Sequence, residues 1–138
     1  MARLRSTSSR GFTLIELMIV ISIILILVSV ALPAYNRSIL RARESVLRQN
    51  LFTLRSLISQ YTLDKQKAPQ ALDDLITGGY LKQVPTDPMT GRNDTWAVDE
   101  ESDTIMSLDQ QQGDEPGIYD VHSGSSAIGS DGTAYNTW

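Results

Sequence analysis

From Phe12 to Ala34 the chain runs 23 residues with a single charged side chain, Glu16. A run of this length and apolarity has one regular solution, because about 20 helical residues cross a hydrocarbon layer of about 30 Å. A helix also satisfies its own backbone groups there. The carboxylate is the anomaly, since an acid in hydrocarbon is costly and calls for a partner or a function. Arg3, Arg5 and Arg10 precede the run, and Arg37, Arg41, Arg43 and Arg48 follow it. The positive-inside tendency therefore leaves the orientation open. A plain single-pass anchor is one reading. A secretory signal is a second, with "SVA" at Ser29–Ala31 as its cleavage site. The run is long for that, and Glu16 interrupts it.

Beyond Pro33 the helix has no reason to stop. No Gly or Pro occurs between Pro33 and Pro69, and Leu40, Leu47, Leu51, Leu54, Ile58 and Tyr61 recur at helical spacing. The expectation is one long helix from Phe12 to about Asp64, loosened near Leu32 by Pro33. Arg37, Arg41, Arg48 and Arg55 fall on one stripe of it. Glu44 is placed to pair with Arg48 at i,i+4. The stripe reads either as a solvated face or as a surface facing another subunit.

The remaining chain is too short for a second large core. "QALDDLITGGY" predicts a short helix ended by Gly78, with Leu72, Leu75 and Ile76 inward. "VPTDPMTGRNDTW" predicts a loop, and "TWAV", "TIMSL" and "GIYDVHS" predict short strands. The fold class is α+β, a small antiparallel sheet packed on the C-terminal half of the long helix. The Gly/Ser-rich tail "GSSAIGSDGTAYNTW" reads as an ordered loop.

Composition removes whole classes of function. The 138 residues include no cysteine and one histidine, His122, so thiolate chemistry is excluded and His-based catalysis has little to use. No nucleophile–base pair or Gly-rich phosphate loop is present, and Asp73 and Asp74 point to different helix faces. Residues 37–67 carry a net charge of +5 and residues 68–138 a net −11. An acidic globular part disfavours nucleic acid as a partner. A structural subunit, a membrane-anchored periplasmic binding or sensor module and a small enzyme are the three classes weighed, and the enzyme finds no support.

The stretch "RGFTLIELMIV" favours the first class. Arg10-Gly11-Phe12 followed by Glu16, with a short polar leader before it, resembles the processing site of the type IV pilin superfamily, the prepilins and pseudopilins. The resemblance implies cleavage between Gly11 and Phe12 by a prepilin peptidase, and methylation of the new Phe12 amine. Residues 1–11 become a leader, 12–34 a transmembrane and polymerisation helix, 35–66 its amphipathic continuation, and 67–138 a periplasmic domain. Glu16 would meet the Phe12 ammonium of a neighbouring subunit, because a buried charge is tolerable when paired. "YLKQVPTDPMTG", "GIYDVHSGS" and "GSDG" look like the major pseudopilin of type II secretion, the G-type subunit. That likeness implies an inner-membrane protein with a cytoplasmic N-terminus that polymerises with itself. Its partners would be minor pseudopilins, the peptidase and an inner-membrane assembly platform. The alternative within the superfamily is a type IV pilus subunit. Many relatives carry a glycine two turns before the proline; "ISIILILVSVALP" has none, so local melting of this helix is less easy. G-type subunits commonly bind calcium in a C-terminal loop, where Asp131 matches an acidic position. Asp114, Glu115 or Asp120 would have to complete the six to eight oxygens calcium takes. "DEESD" lacks EF-hand spacing. No tight calcium site is expected.

Overall fold

A computed structural model describes residues 11–100 and 116–138. Arg3, Arg5 and Arg10, the stretch "TIMSL" expected as a strand, and Asp114 and Glu115 lie outside the described residues. The order of elements is α1 (Leu14–Lys65), α2 (Asp73–Thr77), β1 (Ala97–Glu100), β2 (Ile118–His122) and a short 3-10 helix, Tyr135–Thr137. The chain divides into two compact units, Met1–Ser38 and Ile39–Trp138, each described below by itself.

In the first unit α1 begins where Thr13 can cap it. The Glu16 amide donates to Thr13 Oγ1 at 3.2 Å, and the Leu17 amide bonds to the Thr13 carbonyl. This is half of a capping box, Thr-x-x-Glu, and it puts an acid in the first turn, where the helix dipole favours it. The helix continues through Pro33, which has no N–H for the Ser29 carbonyl. Its side chains from Phe12 to Leu32 are exposed. So large an apolar surface requires a covering, by lipid or by other chains.

In the second unit the core forms as the helical spacing predicts. Leu47, Leu51, Leu54 and Ile58 of α1 pack with Leu75, Trp96, Ile118, Val121 and Tyr135. Leu40, the first member of the stripe, is 39% exposed because the core ends at Glu44. Leu75 is fully buried and Leu72 packs partly against the core. Gly78 closes α2 with its amide on the Asp74 carbonyl, but the left-handed residue is the next one, Gly79, at φ 80°. Only glycine adopts that conformation without strain.

β1 and β2 pair antiparallel with Ala97 opposite His122 and Glu100 opposite Ile118, and the register shifts between Asp99 and Glu100. The first strand starts two residues later than "TWAV" predicts. Trp96 is drawn into the core instead, and its indole N–H donates to the Pro85 carbonyl at 2.8 Å. Asp87 pins the proline-rich loop. Fully buried, it accepts from the Met89 amide, the Ser123 hydroxyl and the Gly124 amide. Gly124 is required there, since a Cβ would lie 1.9 Å from the Thr95 carbonyl oxygen. The tail is ordered by an Ile128–Ala134 bridge and by the 3-10 helix, which the sequence reading did not anticipate.

Candidate functional site

Two places among the described residues carry chemistry beyond packing. One is the start of the first unit. Gly11 and Phe12 precede α1 in non-helical backbone, and nothing lies within 4 Å of where a Gly11 side chain would begin. Phe12 is 85% exposed. The peptide between them is therefore exposed, and Glu16 follows on the first turn of the helix. The Thr13 cap was missed in the sequence reading, although Thr-x-x-Glu before an apolar run signals it.

The other place is the flank of α1 in the second unit, where the four-arginine stripe divides. Arg41 is exposed, and it makes no ion pair or hydrogen bond among the described residues. Arg37, equally exposed, belongs to the first unit. Arg48 lies over the Trp138 ring, its Cζ 4.2 Å from the centroid. Arg55 is taken up inside its own domain. It donates to Asp120 Oδ1 at 2.5 Å, to the Val121 carbonyl at 3.0 Å and to the Trp138 main-chain oxygen at 2.7 Å. With three acceptors around it, Arg55 ties α1 to β2 and the C-terminal residues, and its charge is spent there. Burial acts to raise the Asp120 carboxyl, but its hydrogen bonds from the Val121 amide and Arg55 hold it below the ordinary range. His122 faces oxygens on both sides, with Nδ1 2.6 Å from the Trp138 main-chain oxygen and Nε2 3.2 Å from Asp99 Oδ2.

Glu44 departs most from expectation. It does not form a salt bridge with Arg48; at 1% exposure it lies in the interior. Its carboxylate accepts from the Ser130 amide at 2.7 Å, the Ser130 hydroxyl at 2.5 Å and the Tyr135 hydroxyl at 2.9 Å. Burial raises its pKa, and these hydrogen bonds, helped by Arg48, outweigh that and bring it below the usual glutamate value. Burial and the bond to Glu44 push the Tyr135 phenol up. The helix thus holds the C-terminal loop by an ionised, fully hydrogen-bonded acid.

Glu44→Ala should lower the stability of the domain by about 2–4 kcal/mol, because it removes the acceptor of three hydrogen bonds, one of them from the buried Tyr135 hydroxyl. Thermal unfolding of the full chain in detergent, followed by circular dichroism, checks this. The pH dependence follows from the sign of the shifts. A carboxyl whose pKa is lower in the folded than in the unfolded state stabilises fully above the unfolded value. That contribution is lost as pH falls through the folded value. The wild type should therefore lose stability below about pH 4.5, and Glu44→Ala should lose less of it.

In the C-terminal loop Asp131 is turned to its own neighbours. Asp131 Oδ1 accepts from both the Thr133 amide, at 2.9 Å, and the Thr133 hydroxyl, at 2.7 Å. Those bonds hold its carboxyl below the ordinary range. The loop closes on itself through Gly129 and Thr133. Among the described residues no three His, Asp or Glu side chains come together to hold a metal. Asp120, offered as a possible further ligand, is engaged by Arg55.

A long helix with an open Gly-Phe junction, an apolar first part and a small α+β domain on its second part defines a pilin-like subunit. Comparison with known proteins agrees. Residues 6–32 match the model of the prokaryotic N-terminal methylation motif. The chain is 33% identical over 104 residues to the type II secretion system core protein G of Klebsiella michiganensis, covering 64% of this chain and 73% of that one. It is 41% identical over 86 residues to the type IV major pilin protein PilE of Neisseria gonorrhoeae, covering 57% of this chain and 52% of the pilin. It is 33% identical over 93 residues to the competence protein ComGC of Halalkalibacterium halodurans, covering 65% and 91% of the two. The chain spans about half the length of the gonococcal pilins it matches. No solved structure matches. The chain belongs to the type IV pilin superfamily and is similar to its G-type pseudopilins.

Proposed function

We propose that the chain is a prepilin-like subunit of a periplasmic pseudopilus that drives type II protein secretion. It is cut between Gly11 and Phe12, methylated on the Phe12 amine and polymerised through its apolar helix. The helix spans the inner membrane with its N-terminus cytoplasmic, and the α+β domain lies in the periplasm. Its role is structural, and it turns over no substrate. Its partners are copies of itself, minor pseudopilins, the prepilin peptidase and an inner-membrane assembly platform. The observation that carries this reading is that the likeness to core protein G runs over 104 residues, well past the methylation motif. The exposed apolar face of α1 supports it, because lipid before assembly and neighbouring helices afterwards both cover such a face. The identity to PilE favours a second reading, a surface type IV pilus.

Deletion of the gene in its own host, with secreted proteins measured in the periplasm and the medium, separates the two. The expected result is secreted enzymes stranded in the periplasm and surface fibres unchanged. Loss of surface fibres with secretion intact assigns the chain to a pilus. Mass spectrometry of the mature protein should show a methylated Phe12 as the first residue.

A further inference from the structure

The start of the second unit exposes positive charge that the domain does not balance. Arg41 and Arg43 are both exposed, and neither makes an ion pair or hydrogen bond among the described residues. Glu44 is the only acid between Glu16 and Asp64. It stands three residues after Arg41, a spacing at which acid and base pair on a helix. The fold withdraws it: Glu44 is buried, and its carboxylate is taken by Ser130 and Tyr135. Asp131, an exposed acid of the C-terminal loop, lies by Arg48.

Apolar side chains are exposed among these arginines. Ile39, Leu40 and Val46 are 39%, 39% and 49% exposed. At about 100° per residue, Arg41 and Arg43 point about 160° apart around the helix axis. Their charge therefore surrounds this stretch of α1 instead of lining one side of it. A flat protein surface reaches one side of a helix, whereas a layer of lipid headgroups reaches every side that the domain leaves open.

The sequence sets this segment beside a membrane. The first unit ends in Tyr35, Asn36, Arg37 and Ser38, and Tyr35 is 65% exposed. A tyrosine directly after an apolar span is the kind of residue that marks the edge of the hydrocarbon. Ile39 follows four residues later in the sequence. Arginines near such an edge lay their stems along apolar surface and carry their guanidinium groups to the phosphates. Basic residues beside a membrane draw anionic lipid to it.

We propose that residues 39–46 lie in the headgroup layer, on the side of the membrane where the domain stands, and bind anionic phospholipid. Arg41 and Arg43 meet the lipid phosphates, and Ile39, Leu40 and Val46 meet the boundary of the acyl chains. Burial of Glu44 is what keeps this surface free of negative charge. The inference rests on the membrane placement proposed above and adds the class of lipid that the subunit selects as a single copy.

The chain has no cysteine, so one thiol places a probe without background. The full chain with Ala42→Cys, carrying a nitroxide, is reconstituted at one copy per lipid nanodisc. The discs hold phosphatidylcholine alone, or phosphatidylcholine with a minority of phosphatidylglycerol. Collision of the nitroxide with a water-borne nickel chelate reads its immersion. Collisions should fall roughly threefold or more when phosphatidylglycerol is present, and high salt should reverse this. Arg41→Gln with Arg43→Gln should abolish the difference between the two lipids. Lys65→Gln with Lys67→Gln removes the same charge at the other end of α1 and should keep it. Equal immersion in both lipids overturns the proposal, and so does an effect that the two lysine substitutions also remove. Immersion that appears only when several copies share a disc overturns it in favour of a contact between subunits. A chain that does not stay with the discs overturns the membrane placement as well.

Discussion

Filaments should be absent, or reduced roughly a hundredfold, when Glu16 is replaced by Gln, while membrane insertion and cleavage at Gly11–Phe12 proceed as in the wild type. The reason lies in what the substitution spares. Glutamine serves as well as glutamate at the third position of a capping box, so the start of α1 at Thr13 is kept. Its size and hydrogen bonding are kept as well. Insertion if anything improves, since a charge leaves the apolar run. What would disappear, in the assembly proposed above, is the counter-charge for the Phe12 ammonium of the adjacent subunit, which would then enter a bundle of apolar helices unpaired. Sheared filaments and cross-linked ladders, read beside an immunoblot of the mature form, give the result. Thr13→Ala is the control, since it removes the cap and leaves the charge. If Glu16→Gln assembles normally and Thr13→Ala does not, the acid serves the helix start and not the polymer.

Gly11→Val should leave nearly all of the chain as uncleaved precursor in the membrane. The peptide bond before Phe12 lies in non-helical backbone with open space around Gly11, so the protein itself would tolerate a larger residue there. The expected defect therefore belongs to the peptidase, which must fit the residue beside the cut bond. Phe12→Leu should be processed far better, because what Glu16 would pair with is the amine and not the ring. An immunoblot that resolves the two lengths decides it, and normal conversion of Gly11→Val would refute the cleavage site. Uncleaved precursor should also fail to assemble, because it has no Phe12 ammonium to offer.

Much of this molecule is written in short-range pattern. The apolar run, the helical recurrence of Leu47, Leu51, Leu54 and Ile58, the turn at Gly78-Gly79 and the strand "IYDVH" all follow from periods and local backbone preferences. Those signals are carried by neighbouring residues, so one chain suffices to read them. The Gly-Phe-x-x-x-Glu junction is likewise local, and the family follows from it.

What the sequence left open were the partners of its charged side chains. Glu44 and Arg48, four apart on one helix, read as a surface pair. The fold brings Ser130 and Tyr135 to Glu44 from 86 and 91 residues away, and Trp138 to Arg48. Arg55 reads as one member of an exposed stripe, yet β2 delivers Asp120 and Val121 to it across 65 and 66 residues. Whether a helical charge faces water or a buried acceptor depends on which distant loop packs beside it. Each choice is worth no more than a few kcal/mol and leaves no periodic trace in the chain. The sequence alone determined the helix, its apolar first part, the superfamily and the class of fold. The tertiary structure decided which arginines find partners in their own domain and which stay exposed, because only long-range packing assigns a buried charge its partner.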